Sequence, residues 1–586
     1  MFTKGKKWAI IMCILSLVLA LSACSGGNTP SASSSQPASS SEGSQPEQMP
    51  ELELTVLSML TGYVGPQEGW FAKVIKDKFN IKLNYVASSP KEMIASRMAS
   101  GDLGDLVVFG NEDKKAYTDS IKGGLLLEWT KDGLLDKYGT NMKGYASKGL
   151  DANMKMFGDG KHIYGIGESV GDGEGTSEQN KLTMGPSIRW DLYQKLGSPK
   201  ITKLDDYLPL LKQMQELEPK SDSGRKTYGF SLFGDWDGNF VNLANTIGAY
   251  YGYQTGDGFN PSDMILTHAT EQKYQARLDE NGYYLQGLKF YNKANQMGLL
   301  DPDSVTQKFG DVANKLKDGQ FFFVPWTWME DTYNIPEHTS AGKGIMPVPF
   351  EEETAISFGY TPYGGERKWA IGAKSKDPAR VMMLIDWLYS TEGVMTVQNG
   401  PKGLTWDIKD GKPYVTEFGW QAYQNAKETD VPAEYGGGTY DHGGAKINNS
   451  TLNASLINPE IGEPYNRDLW SSTLDHNPNP VIVSWREAMG ARTMKEYYTN
   501  NNKIAVTKQT FTGEAPIVLP TDIQQKQNEV GKVIKEYSWK MIIAKTDEEF
   551  NKLKKQMIDK AKGLGYDEVV AHQVDSMKKT VWAQNP

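Results

Sequence analysis

Apolar residues in the first patterned stretch of the chain switch back and forth between a period of two and a helical period, and this alternation constrains the fold more than any other feature. LELTVLSML (Leu52 to Leu60) alternates as a strand does and GWFAKVIKDKF has helical spacing. IKLNYVAS is strand-like again, KEMIASRMASG is helical, and DLVVFG (Asp105 to Gly110) reads as a buried strand. Strands alternating with helices of roughly ten residues imply parallel βαβ units, so the expected fold class is α/β. Ligands of such sheets sit beyond the carboxyl ends of the strands, which points to Thr61 to Pro66 and to Asn111 to Asp113.

Ahead of this pattern, Lys4, Lys6 and Lys7 precede an almost wholly apolar run from Trp8 to Leu21, and Ser22 and Ala23 supply small residues before Cys24. That is the order of a cleavable export signal. A run of roughly 14 apolar residues is short of the roughly 20 that cross a bilayer, which disfavours a spanning anchor. LSAC resembles the lipobox of bacterial lipoproteins, in which the signal is cut before the cysteine and the thiol receives a diacylglycerol. Cys24 is therefore the expected lipidation site and membrane tether, since two acyl chains hold firmly where one holds marginally. Cys13, the other of two cysteines, leaves with the signal, which excludes cysteine catalysis, cysteine-ligated metal and disulfides from the mature chain. Ser25 to Pro50 is rich in Ser, Pro, Gly and Gln with almost no apolar side chain, and is expected to be a disordered leash spanning roughly 28 Å root mean square. Loss of the three lysines takes the formal charge from −9 to about −12. With no block of basic residues, nucleic acid is not an expected partner.

Local signals mark further helices. Asp377-Pro378 gives an N-cap and a proline at the first helical position, ahead of an apolar face of Val381, Leu384, Ile385 and Leu388. Thr546 and Glu549 make a capping box before Phe550, Leu553 and Met557, with Gly563 as the stop.

No catalytic signature emerges. The six histidines are far apart and form no HExxH pair, so neither a metal nor a cofactor is expected. GDGEG (Gly171 to Gly175) lacks the lysine and spacing of a phosphate loop and reads as a mobile loop. No GxSxG elbow occurs, and a glycosidase acid pair cannot be picked out among 72 carboxylates. What stands out is aromatic residues beside polar ones, in GDWDGNF (Asp235, Trp236, Asp237), AYYGY (Tyr251) and FFFVPWTWMED (Trp326, Trp328). Apolar sugar faces stack on aromatic rings while hydroxyls bond to flanking carboxylates and amides, which suits these segments to carbohydrate. Packing in a core is the alternative for each ring.

Taken in order, several segments resemble the extracellular solute-binding lipoproteins of carbohydrate ABC importers, the family that includes maltose-binding protein. GDLGDLVVFGNED, KHIYGIGES and RWDLYQKLGSPKITKLDDYLPLLKQM match its early motifs. DGQFFFVPWTW, GIMPVPF and KWAIGAKSKDPARVMMLIDWLYSTEGV follow in the family's order and spacing. GPKGLTWDIKDGKPYVTEFG, which holds Trp406, is similar to a LipO-like subfamily of larger lipoproteins. The resemblance implies a two-lobed, periplasmic-binding-protein-like (type II) fold with crossover strands. The implied order is signal 1–23, lipidated linker 24–50, lobe 1 at 51–165, lobe 2 at 166–365, a return to lobe 1 at 366–402, and lobe 2 again at 403–586 with a C-terminal helical extension. Residue by residue, Trp326 matches the tryptophan that stacks a sugar ring, Asp113 the acid after the third strand, and Glu168 the acid past the first crossover. Asn111, Trp236, Trp328, Asp235, Asp237, Tyr251 and Trp406 complete the expected ligand contacts. Gly110 stands where maltose-binding protein has a tryptophan, and Val324 where a glycine is usual. EPKSDSGRKTYGF (Glu218 to Phe230) follows a helix where some oligosaccharide-binding members carry a calcium loop, but its acidic oxygens reduce to Asp222 and Glu218, so the site reads as degraded.

The expected function is capture of a carbohydrate, an oligosaccharide by preference, and its delivery to ABC permease subunits by a monomer tethered to the extracellular face of the membrane. A surface glycoside hydrolase or lyase and a peptide receptor are the alternatives. Trp326→Ala is expected to weaken sugar binding by about 1–3 kcal/mol and to spare folding. Arg189 has two readings, a partner for a uronate or a member of a salt bridge.

Overall fold

The structure is a computed structural model and describes residues 49–86, 90–110, 113–237, 240–255, 263–508 and 519–579. Cys24, the signal and the leash, and Asn111, lie outside the described residues.

The alternating start of the chain forms a six-stranded sheet. Leu52–Ser58 runs parallel to Ile81–Tyr85 on one side and to Leu106–Phe109 on the other. Lys368–Ile371 returns antiparallel to Leu106–Phe109, and Gly165–Gly167 closes that edge. Alternate side chains of these strands feed different apolar clusters: Leu54, Val56, Leu106 and Val108 enter one, and Leu57, Val107 and Phe109 another. A sheet covered on both faces needs apolar residues at successive positions, which is why DLVVFG carries no alternation. The connecting helix Gly69–Phe79 buries Trp70, Phe71, Ile75 and Phe79 and ends on Asn80, whose left-handed backbone lets its N–H reach the Lys76 carbonyl. The helix Pro378–Leu388 begins as expected, with the Asp377 side chain accepting from the Arg380 N–H. At the Asp547–Gly563 helix, Thr546 accepts from the Glu549 N–H, but the Glu549 carboxylate returns to the N–H of Lys545 instead of Thr546.

A second apolar core surrounds a three-stranded antiparallel sheet in which Met184–Arg189 lies between Phe323–Trp326 and Ile345–Pro347. The three C-terminal helices, Thr521–Ile542, Asp547–Gly563 and Tyr566–Lys579, contribute Val530, Ile534, Met541, Phe550, Met557 and Val569 to this core. The sheet with apolar clusters on both faces and this separate core make two lobes, as the fold class requires.

The chain passes from one core to the other between Val170 and Leu182, between Ile356 and Trp369, and between Trp470 and Val481. The last passage corrects the expected order. Residues 403–470 were expected in lobe 2, yet Leu404, Trp406, Val415, Val431, Ile447, Leu452, Tyr465 and Trp470 all pack in the first core. The segment wraps that lobe through contacts distant in sequence. The Ser58 hydroxyl donates to the Ile447 carbonyl, and Tyr440 stacks on Trp70 at 5.7 Å. The first lobe also extends through Val170, beyond the expected boundary at 165. The first two passing segments lie beside one another, Ser177 N–H donating to Phe358 O, while Ser455 Oγ donates to Ser177 O and Ala355–Phe358 pairs in parallel with Ile504–Thr507. Among the described residues no helix is long and apolar enough to cross a membrane.

Candidate functional site

The strand Phe323–Trp326 ends in a ladder irregularity. Val324 pairs with Ser187 and Trp326 with Met184, and the register shifts between them, where Pro325 has no N–H to offer. A short 3₁₀ turn, Thr327–Met329, then carries Trp328 to lie parallel to Trp326, with ring centroids 5.8 Å apart and planes at 12°. Trp236 joins from the turn at 235–236, 6.4 Å from Trp326 and 6.2 Å from Trp328. Phe309 stacks on Trp236 at 4.5 Å. Trp326 is the buried member, 7 % exposed with its indole N–H donating to Thr246 Oγ1 at 3.1 Å, whereas Trp328 is 39 % and Trp236 44 % exposed. Trp236 and Trp328 therefore offer the accessible ring surface and Trp326 supports them. The expectation that Trp326→Ala spares folding does not fit this burial, because removing a packed indole leaves a cavity.

The acids flanking Trp236 brace its loop. Asp235 Oδ1 accepts from the backbone N–H of Phe309 at 3.1 Å, the first residue of the helix Phe309–Lys317. Asp237, 1 % exposed, accepts from Trp539 Nε1 at 2.8 Å and from the Asn242 N–H at 3.3 Å. Burial pushes the Asp237 carboxyl up to about 6, against the opposing pull of the Trp539 and Asn242 bonds. Trp539 lies on the Thr521–Ile542 helix, so the C-terminal extension holds the loop that presents Trp236. Sequence reasoning missed Trp539, Thr246 and Phe309. The first is 302 residues from its partner, and no local pattern carries that pairing.

In the first lobe, Glu168 follows the Gly165–Gly167 strand and its carboxylate lies 3.6 Å from Arg367 Nη1. Burial raises its carboxyl above the usual range, with Arg367 opposing. Asp113 precedes the helix Lys114–Lys122, and its Oδ2 accepts from the Gly110 N–H at 2.9 Å. A Cβ at Gly110 would come within 2.9 Å of that oxygen and 3.3 Å of the Leu60 side chain, so a larger residue there would push the Asp113 carboxylate aside.

Two expected contacts lie elsewhere. Trp406 is 6 % exposed in the first core, its N–H donating to the Gly400 carbonyl at 3.0 Å and its ring beside Trp470. Tyr251 stacks on Tyr283 at 4.4 Å and meets Phe350, forming an aromatic group apart from the three tryptophans. Arg189 resolves to the salt-bridge reading. It is fully buried and forks onto Asp191, with both bonds at 2.9 Å, and also reaches Glu218. The GDGEG segment lies at the start of the first passage between lobes, where the Gly171 N–H donates to Thr361 O.

Two lobes around separate cores, with two of the passing segments bonded side by side, are what a solute-binding-protein fold requires, and the comparison with known structures agrees. Alginate-binding protein AlgQ2, solved without calcium ion, superimposes with a TM-score of 0.57 over 90 % of this chain and 98 % of its own, at 17 % identity. An EF-hand mutant of the Streptococcus pneumoniae ABC-transporter substrate-binding protein FusA, in complex with fructo-nystose, gives 0.57 over 91 % and 100 % at 14 % identity. By sequence, the chain is 24 % identical over 262 residues to the fructooligosaccharide ABC transporter substrate-binding protein FusA of Streptococcus pneumoniae, covering 43 % of this chain and 44 % of that one. It is 23 % identical over 347 residues to lipoprotein LipO of Bacillus subtilis, covering 56 % and 62 %. The chain thus spans less than two thirds of the length of either curated relative. No protein-family model matches it.

Proposed function

We propose that this protein is an extracellular solute-binding lipoprotein that closes its two lobes on an oligosaccharide and hands it, chemically unchanged, to ABC permease subunits. The observation that carries the reading is the patch of Trp236, Trp326 and Trp328, two of whose rings are well exposed, on a loop and a strand end braced by hydrogen bonds from Phe309 and Trp539. Exposed indoles such as Trp236 and Trp328 suit the apolar faces of sugar rings, and the fixed backbone around them limits the ordering cost of binding. Glu168 and Asp113 are the proposed polar contacts from the first lobe. A ligand that touches both lobes favours the closed form by its differential affinity for it, which needs no bond to be broken and no cofactor.

Thermal-shift screening against neutral and acidic oligosaccharides tests this reading, because a specific ligand raises the melting midpoint by mass action. At least one glycan is expected to raise it, and a panel of diverse glycans without any effect contradicts the proposal. Anchoring through Cys24 has its own check. Cys24→Ala is expected to move the protein from the membrane fraction to the medium or to leave it as uncleaved precursor, and unchanged acylation and fractionation would remove Cys24 from the account.

A further inference from the structure

The segment from Glu218 to Thr227 occupies the place where the family resemblance leads one to expect a calcium loop. Calcium takes six to eight oxygen ligands, and here four nearby carboxylates, those of Glu218, Asp222, Asp191 and Asp318, are already engaged by protein donors. Glu218 receives the Arg189 guanidinium at 3.0 Å, with Lys343 Nζ at 3.6 Å. Asp222 receives His338 Nε2 at 2.7 Å and Lys343 Nζ at 3.2 Å. Asp191 takes the other fork of Arg189. Asp318 accepts from the Ser221 hydroxyl, from the Ser223 N–H and hydroxyl, and from Gln320 Nε2, all within 2.9 Å. His338 stacks on Tyr333 at 4.1 Å, and its Nδ1 faces the Tyr333 carbonyl at 2.6 Å. Both of its ring nitrogens thus face oxygens. Burial raises the Asp222 carboxyl, but the bonds from His338 and Lys343 outweigh it and hold that carboxyl below the usual range. Among the described residues no group of three or more metal-ligating side chains is placed to hold a metal ion.

We propose that Arg189, Lys343 and His338 form a resident brace of basic side chains that fills the role a divalent cation would have in this loop, so that this lobe is built to stand without calcium. Arg189 and Lys343 offset part of the acidic charge of Glu218, Asp222 and Asp191, and Asp318 is held by hydroxyl and amide donors, so a divalent ion would have to displace donors already in place. The brace also reaches the candidate site through the backbone. Arg189 is the last residue of the strand whose first residue, Met184, pairs with Trp326, and its guanidinium lies 4.9 Å from the Tyr333 ring.

Melting curves of the full chain in millimolar calcium chloride and in excess EDTA test this directly, whatever the protein binds in its cleft. The two midpoints are expected to coincide. In the same assay, a His338→Gln, Lys343→Met double variant is expected to melt several degrees lower, because Asp222 loses both partners. A midpoint for the unaltered chain that rises with calcium and falls with EDTA overturns the proposal, and so does a double variant that melts with the unaltered chain. Should the variant fail to fold, the calcium and EDTA arms on the unaltered protein still decide the matter.

Discussion

Truncating Trp326 to alanine is expected to cost about 3–5 kcal/mol of folding stability, and truncating the neighbouring Trp328 far less. The reason is position. Trp326 is closed in by Trp328, Trp236 and Phe233 and bonded to Thr246, so its removal leaves a void that a fixed strand cannot collapse. Trp328, 39 % exposed, has solvent on part of its surface. Its truncation should change stability by about 1 kcal/mol or less, yet weaken binding of a stabilising oligosaccharide by about 1–3 kcal/mol, roughly 5- to 150-fold. Urea denaturation and calorimetric titration of the two variants separate these effects. Equal stability losses in both would contradict the division into a buried support and an exposed surface. An unchanged affinity in Trp328→Ala would remove that ring from the site.

The second large effect concerns pH. Glu353 is almost fully buried, accepting from the Tyr498 hydroxyl at 2.8 Å and from the Phe350 N–H at 3.3 Å. Burial pushes its carboxyl up to about 8, against the weaker opposing pull of those bonds and of Lys503. Lys503 itself donates to the carbonyls of Phe350, Glu351 and Glu353 and makes no ion pair with the carboxylate. Because the folded state binds this proton more tightly than the unfolded chain, the stability tied to it is complete below the ordinary glutamate range. It is lost as pH rises from there to about 8. The loss is on the order of 4 kcal/mol by the linkage relation. Glu353→Gln keeps the shape and removes the proton, so its stability advantage over the unaltered protein should grow from pH 5 to pH 8. Parallel urea curves for the two proteins at both pH values check it. A difference independent of pH would mean that Glu353 ionises normally in the fold.

Much of the first lobe was legible because its signals are local. The switch of apolar period from Leu52 to Gly110 and the Asp377-Pro378 cap each act within a few residues, and they mark the strands and helices observed. The placement of residues 403–470 was not legible. Those residues form short strands, turns and brief helices whose partners, such as Ser58 and Trp70, lie more than 350 positions away. The same limit explains Trp406. Trp beside Asp reads alike in GDWDG and in LTWDI, but the first is on a loop with its indole 44 % exposed and the second opens a hairpin that packs on Trp470. Composition identifies an aromatic suited to sugar, and only long-range packing decides whether its face is free. In the calcium-loop region, the shortage of acidic oxygens was visible in the sequence. The basic partners were not, since Arg189 lies about 150 residues from His338 and Lys343 in the chain.

The reading as a whole stands or falls on a cleft that closes around a sugar and releases it intact. Small-angle scattering of the delipidated protein, with and without the glycan that most raises its melting midpoint, combined with chromatography of that glycan after prolonged incubation, addresses both halves in one sample. The account predicts a smaller radius of gyration in the bound state and complete recovery of the starting glycan. An unchanged scattering curve at saturating glycan, or shorter sugars in the eluate, would contradict it.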